Sequence, residues 1–440
     1  MATVGIKTDL NNVLKHVHGP RMVKTFNDKY LWYNKLKKRR RVQFSGRDFL
    51  FSVHTKPASN VGWYANAGLL PDASEETVDE ASVTVKQFAA RIALDGLSHE
   101  SGKTNKDGFI RLLTFKTTRA AKNAANEMAQ QIWAFSDQSE FNTVKAVVSS
   151  YAANKIVCKN PLGYVSGTDV PSVGGARYFR AGQKIAWGTT AELYSGTSQG
   201  VAEISSVDYS AQELTIGTIT GAVPQADDSI VTGWTQANYN FATLGTVAHG
   251  ISGFGTILDP LKGNLISGAA NANFQGIAVT PNDPTQWDSL KVTSGGSFDQ
   301  QELHEVIQKL EQVGEGEPNF MVSDVTMLRE YIADVGADVR LQPQALKGGY
   351  KMVEFASGRN LEWVFDKYCP YGCIFMGDLN AAFWLMQRDF GWDTTDGKVL
   401  KYISDKDAFS AYFKAYMALG FDALNSFGVI KNINISGNAL

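Results

Sequence analysis

The sequence predicts an α+β fold interrupted by a small antiparallel β-barrel. Three observations carry this: one long helix-period stretch at residues 107–138, a tract of short β-runs from about 141 to 233, and strict apolar alternation near the C-terminus. The 440 residues correspond to about three domain-sized units. With 44% hydrophobic and 20% charged residues, bulk disorder is excluded. No apolar run reaches the length that spans a bilayer, so no membrane partner is expected. The first twenty residues lack the apolar core of a secretion signal. Three cysteines, an odd number, argue against a disulfide framework and for a reducing compartment.

Residues 1–41 form a basic arm. They hold eleven Lys or Arg against two Asp, a net +9, which leaves −11 on the rest of a chain whose formal charge is −2. The densest part is Lys35, Lys37, Lys38, Arg39, Arg40 and Arg41. Such an arm suits a polyanion or an acidic protein, and a solvated, mobile terminus fits the same composition. In residues 42–57, Phe49, Phe51 and Val53 alternate as in a strand. Turn formers follow, with Trp63 and Tyr64 among them, then an acidic run of Asp72, Glu75, Glu76, Asp79 and Glu80 without an intervening cation. In VTVKQFAARIAL, Val83 and Val85 share one parity while Phe88, Ala90, Ile92 and Leu94 take the other, which predicts a β-bulge near Lys86 or Gln87. The two strands make a long hairpin, and an isolated two-stranded ribbon must lie on something else to be stable.

The helix at 107–138 places Ala121, Ala124, Ala125, Met128, Ile132 and Phe135 on one face. Beyond the barrel tract, a helix around 298–313 buries Leu303, Val306, Ile307, Leu310 and Val313, with Ser297 and Gln300 as its capping box. A helix around 324–335 groups Met327, Leu328, Tyr331 and Ile332, with Ser323 as cap and Gly336 as stop. Phe409, Ala411, Phe413, Ala415, Met417, Leu419 and Phe421 alternate strictly, and a last strand follows around 426–435.

Candidate chemistry is sparse. Gly96 to Thr104 ends in Gly102-Lys103-Thr104, but a phosphate-cradling loop needs four residues between its glycines so that successive N–H groups converge on one phosphate, and here there are five. His304-Glu305 begins a zinc signature, yet Gln308 stands where the second histidine should be. Cys369 and Cys373 have the wrong spacing for a redox pair, and Cys158 lies far away; half-buried, reduced thiols are expected. GISGFG, from Gly250, places Phe254 where a nucleophile elbow requires its last glycine. No catalytic group, metal site or cofactor site is therefore expected. The rival enzyme reading is a nucleotide-binding enzyme centred on Gly102-Lys103-Thr104.

The order of these parts resembles the major capsid proteins of tailed bacteriophages, with the Hong Kong 97-type fold. The segments RDFLFSVHTKPASNVGWYA, FMVSDVTMLREYIADVG and CIFMGDLNAAFWLMQ carry the likeness. The resemblance implies an N-terminal arm (1–41), an extended loop reaching over a neighbouring subunit (42–100), and a spine helix of the peripheral domain (101–140). It further implies an inserted β-barrel (141–234), an axial domain (235–371), and returning peripheral strands with the C-terminus (372–440). Inter-subunit contacts would then fall on Phe49, Phe51, Lys56, Trp63, Tyr64, Asp72, Glu75, Glu76, Asp79 and Glu80, and the interior arm on Lys35 to Arg41. The function implied is an icosahedral shell of hexamers and pentamers around double-stranded DNA, located in the virion after assembly in the host cytoplasm. The partners implied are many copies of the chain, a separate scaffolding protein, a portal protein, a decoration protein, and DNA held without sequence readout. A scaffolding domain is not expected within 41 residues. Lys56 is the single loop-tip candidate for the Lys–Asn cross-link that some relatives form. An encapsulin-like compartment shares the fold and is the alternative shell.

Overall fold

The computed structural model describes residues 35–36, 41–43, 46–56, 62–64, 66, 77–96, 106–133, 145–159, 175–189, 199–232, 251, 253–255, 273–278, 287–294, 296, 298–313, 317–335, 351–354, 360–395, 397–403, 407–431 and 433. In chain order the elements before the barrel are β1 (Arg41–Gln43), β2 (Asp48–Lys56), β3 (Thr77–Thr84), β4 (Lys86–Asp95) and α1 (Lys106–Gln131). The barrel tract holds β5 (Ala146–Ala152), β6 (Lys155–Lys159), β7 (Lys184–Gly188), β8 (Gly200–Asp208), β9 (Glu213–Ile216), β10 (Thr220–Gly221) and β11 (Ser229–Thr232). Then come β12 (Asn273–Phe274), β13 (Ile277–Ala278), β14 (Leu290–Thr293), α2 (Gln300–Val313), β15 (Phe320–Ser323) and α3 (Thr326–Val335). The chain closes with β16 (Lys351–Glu354), β17 (Asn360–Phe365), β18 (Ile374–Gly377), β19 (Ala382–Trp392), β20 (Lys401–Tyr402), β21 (Ala408–Phe421) and β22 (Phe427–Lys431).

These elements form two compact units. The first comprises Met1–Arg47, Thr84–Gln130 and Trp384–Ala418. Its sheet runs β1-β19-β21-β20, with β4 paired to β21 over ten residues, from Ala408 opposite Asp95 to Met417 opposite Lys86. The alternation read from sequence is real: Phe413, Ala415 and Met417 are buried, and Phe413 meets the rings of Phe390 and Trp392. Helix α1 covers 26 residues, about 39 Å, and buries Thr117, Ala124, Ala125, Met128 and Ala129. It stops seven residues short of the expected end, because Phe254 N–H donates to the C=O of Ile132 at 2.7 Å and takes up a terminal carbonyl. Phe135 lies outside the described residues, as does the side chain of Ala121. The arm's last cation, Arg41, opens β1, which runs parallel to β19 with Arg41 opposite Trp384. Arg41 is thus part of a strand, while residues 37–40 lie outside the described residues.

The second unit comprises Asp48–Val83, Gln131–Phe383 and Leu419–Leu440. A mixed sheet ordered β14-β22-β18-β15-β17-β16 is its centre. On one face, Leu303, Val306, Ile307 and Leu310 of α2 pack with Met321, Trp363, Ile374, Met376 and Ile430. On the other, Trp133, Phe254, Phe320, Phe375, Phe421 and Phe427 form a ring cluster with centroids 5.0–6.3 Å apart. Gly253 admits this cluster: a Cβ there would lie 2.3 Å from the Ile132 carbonyl oxygen. That close approach, rather than a nucleophile elbow, accounts for the glycine.

The β-tract is a closed antiparallel barrel, β8-β7-β11-β5-β6-β9 and back to β8, with β10 added beside β8. Ile156, Cys158, Ile204, Leu214 and Ile216 are buried in it. Ala153 and Asn154, both with positive φ, make the tight β5–β6 turn. The barrel tract holds Arg177, whose side chain is 13% exposed. From the short turn Ala176–Tyr178, Arg177 Nη1 donates to Asp324 Oδ1 at 2.9 Å, and Nη2 donates to the C=O of Cys369. Its guanidinium lies over the rings of Tyr371 (4.1 Å) and Tyr178 (4.9 Å).

Three local expectations are corrected. The parity slip at Lys86 is not a bulge: β3 ends at Thr84 and pairs with β2, β4 begins at Lys86 and pairs with β21, and Val85 is the changeover, its N–H donating to Arg47 C=O. The caps also differ. Asp299 accepts from Gln301 N–H at 2.8 Å at the start of α2, while Asp324 accepts from Thr326 N–H at 3.2 Å at the start of α3. Ser323 belongs instead to β15, where its hydroxyl accepts from Trp363 Nε1; Ser297 and Gly336 lie outside the described residues. On α3, Met327 is buried but Ile332 is 48% exposed, so the apolar face is narrower than its spacing suggested.

Candidate functional site

Strands β2 and β3 form a two-stranded sheet of their own. Strand alternation sends Phe49, Phe51, Val53 and Thr55 to one face and Leu50, Ser52 and His54 to the other. Phe49 and Phe51 stack at 5.8 Å, and both meet the ring of Phe383 edge-on, at 5.8 and 5.2 Å. Phe383 can reach them because Gly420 leaves room: a Cβ at that position would be 2.4 Å from the ring. Farther out, Thr55 Oγ1 donates to Asp79 Oδ2 at 2.7 Å and ties the two strands together.

The other root strand is held by a small turn. Gln275 and Gly276, with φ of 52° and 89°, link β12 to β13 as a two-residue hairpin. The Gln275 C=O accepts from Ser82 N–H at 2.8 Å. Its side-chain amide faces the backbone of Phe421, donating to the C=O at 3.0 Å and accepting from the N–H at 3.1 Å. Phe274 beside it packs on Trp287 and Phe421. Ala81 and Val83 are buried there. The root of the hairpin is therefore anchored on its own chain at two points.

Its outer part is different. Val78 is about half exposed, Tyr64 is 61% exposed, and Trp63 is fully exposed; at the root, Leu50 on the face away from Phe383 is also about half exposed. Exposed large apolar side chains near one another on a two-stranded ribbon are the kind of surface that interaction partners use.

The structure brings Phe49 and Phe51 together and places Asp79 and Glu80 on β3, Asp79 being engaged by Thr55. The backbone of Lys56 ends β2. Asp72, Glu75, Glu76, Lys37, Lys38, Arg39 and Arg40 lie outside the described residues, as do Gly102, Lys103 and Thr104. Lys35 is half-buried next to the buried Leu36. His304 and Glu305 sit on α2, where Glu305 pairs with Lys309. All three cysteines are fully buried rather than half-buried, and burial pushes the Cys158 and Cys369 thiols up, away from the reactive thiolate. Among the described residues no cluster of His, Cys, Asp or Glu could hold a metal ion. Sequence reading missed Phe383, Gly420 and Gln275. The one available signal was the Gln-Gly dipeptide between Phe274 and Ile277, a glycine-containing turn pattern.

No protein-family model matches the sequence, and no curated protein matches it. Solved structures do. The capsid asymmetric unit of cyanophage A-1(L) aligns over 91% of this chain and 92% of its own, at 13% identity and a TM-score of 0.47. The capsid of a native GTA particle aligns over 90% and 89%, at 10% identity and a TM-score of 0.43. A virus-like particle from Pyrococcus furiosus aligns over 94% and 97%, at 6% identity and a TM-score of 0.39.

Proposed function

We propose that this chain is the structural subunit of a virion capsid, a non-enzymatic major capsid protein whose copies close into an icosahedral shell of hexamers and pentamers around double-stranded DNA. The observation that carries the reading is the hairpin, with its root fixed by Phe383 and Gln275 and its apolar residues Trp63, Tyr64 and Val78 uncovered farther out. A rigid root holds the ribbon out, and a second copy supplies what it lacks: apolar cover and main-chain partners in trans. Each large side chain buried that way stabilises a contact by about 1.5–3 kcal/mol. One heterologous contact repeated with a closing rotation gives rings and then a shell. The arm of residues 1–41, net +9 from eleven cations and two acids, supplies backbone electrostatics toward DNA or, during assembly, a scaffolding protein.

The test is assembly of the full chain, followed by negative-stain electron microscopy and light scattering, with and without a candidate scaffolding protein. Closed particles are expected, and nucleic-acid absorbance in particles from the native source separates a virion from an enzyme compartment. The paired substitutions Trp63→Ser and Tyr64→Ser should abolish particles while leaving the subunit's thermal midpoint unchanged, since neither residue is buried in the subunit. A parent chain that stays a monomer at high concentration in both conditions defeats the reading.

A further inference from the structure

The two units differ sharply in charge. The first has twenty-five Lys and Arg against eleven Asp and Glu, a net +14; the second has seventeen against thirty-three, a net −16, which together restore the chain's −2. Part of the positive charge is organised on one face of the first unit's sheet. Phe413, Ala415 and Met417 of β21 are buried, so Tyr412, Lys414 and Tyr416 turn to the opposite face. Register places Arg91 opposite Tyr412 and Lys401 opposite Ser410, on that same face. Beneath them lies Asp393, 3% exposed, anchored by its N–H to the C=O of Tyr412 at 2.8 Å. Its carboxylate pairs with Lys414 at 2.9 Å, Lys401 at 3.2 Å and Arg388 at 3.9 Å. Arg91 and Lys414 both approach the Tyr412 ring, at 5.7 and 5.5 Å.

One carboxylate shared by three cations leaves a positive excess, and it fixes long side chains that would otherwise wander; the exposed Asp95, which the register sets opposite Ala408 on this face, offsets one charge of the four cations. Arg91 adds a further charge and is exposed. An ammonium carries three N–H groups, so pairing with Asp393 does not exhaust Lys414. The cations come from adjacent strands about 4.8 Å apart, a rigid grid of charge rather than a groove. The same sheet begins at Arg41, the last cation of the +9 arm, so arm and face are joined by β1.

We infer that this sheet face, built on Arg91, Lys401, Lys414 and Arg388, is a docking surface for the phosphate backbone of nucleic acid. The charge complementarity is with a polyanion, and the contact reads no sequence. The inference deepens the shell reading by naming where enclosed DNA touches the subunit, although binding by the free subunit does not depend on assembly.

The probe is random-sequence duplex DNA of about 30 base pairs, titrated with the full-length subunit by fluorescence anisotropy from about 50 to 200 mM salt. Arg91→Gln and Lys401→Gln should each weaken binding several-fold at the low-salt end and flatten the log–log salt slope by about 0.9. Lys184→Gln, at an exposed site on the barrel, should change neither. Arg91 does not touch Asp393 and is exposed, so Arg91→Gln remains decisive even if Lys401→Gln lowers the thermal midpoint. Unchanged affinity and slope in Arg91→Gln overturn the inference. So does a pair of variants that keep DNA affinity but no longer form particles, since the face would then join copies of the chain. If the parent chain never assembles while the slopes flatten as expected, the shell reading fails and this one stands.

Discussion

Asp393 shows what a single side chain contributes. The Thr395 hydroxyl, then Lys414 and Lys401, hold its carboxyl far below the ordinary carboxylate range, against the opposing effect of burial. A carboxylate with a depressed folded pKa contributes stability that is fully present above its unfolded pKa, about 3.9, and is lost as pH falls through the folded value. Asp393→Asn should therefore cost about 2 kcal/mol in urea unfolding at pH 7. The gap between parent and variant should begin to narrow only below about pH 4. An equal gap at pH 7 and in strong acid would show that shape, not charge, was lost. Gly253 makes the complementary point by having no side chain at all. Gly253→Ala places a Cβ 2.3 Å from the Ile132 carbonyl oxygen, a backbone atom that cannot step aside. The variant should lose about 3 kcal/mol or fail to fold, while Ile251→Val nearby costs about 1. In the sequence this glycine sat in a string that only half matched a catalytic elbow. Its actual reason, contact with a residue more than a hundred positions earlier, has no local signature.

At the scale of elements, legibility followed length and period. Strand β21 and helices α1 and α2 were readable because many residues repeat one spacing against one buried surface. Their ends were not, since Asp299 and Asp324 cap α2 and α3 where neighbouring serines offered an equally good local pattern. The changeover at Val85 was visible as a parity slip, but a slip does not say whether a strand bulges or changes partner. That depends on β21, over three hundred residues later. The barrel's existence was legible from its short, regularly spaced strands; its attachment was not. Arg177 enters a tyrosine pocket and pairs with Asp324, a contact across 147 residues that no spacing rule reveals. Removing the cation leaves a buried carboxylate without its partner, so Arg177→Ala should lower stability by about 3–5 kcal/mol. Arg177→Lys should recover only part of this, because an ammonium cannot reproduce the planar fork that serves Asp324 and the Cys369 carbonyl together. Urea unfolding followed by barrel and sheet tryptophans, Trp187 and Trp363, measures it. Full recovery in Arg177→Lys would mean that charge alone holds the barrel.

For the whole molecule, the net charge of −2 conceals the property that matters: +14 on one unit and −16 on the other. The basic arm was plain in the sequence, but the larger segregation was not, because each unit is assembled from three separated stretches of chain. If the proposed shell sets the same unit of neighbouring copies side by side, its closure crowds like charges together. Exposed like charges repel over about 10 Å at 0.1 M salt, and added ions shorten that range. The apolar contacts proposed for Trp63, Tyr64 and Val78 would not be weakened by the same screening. Assembly without nucleic acid, followed by light scattering, should therefore accelerate between about 50 and 300 mM salt. Duplex DNA added at the low-salt end should substitute for the salt, since it neutralises the positive units directly. Arg91→Gln should weaken that substitution by DNA while leaving the acceleration by salt intact. Assembly that is fastest at low salt would instead mean that basic regions of one copy meet the acidic hairpin of the next. In that case complementary charge between neighbours, rather than relief of repulsion, would govern closure.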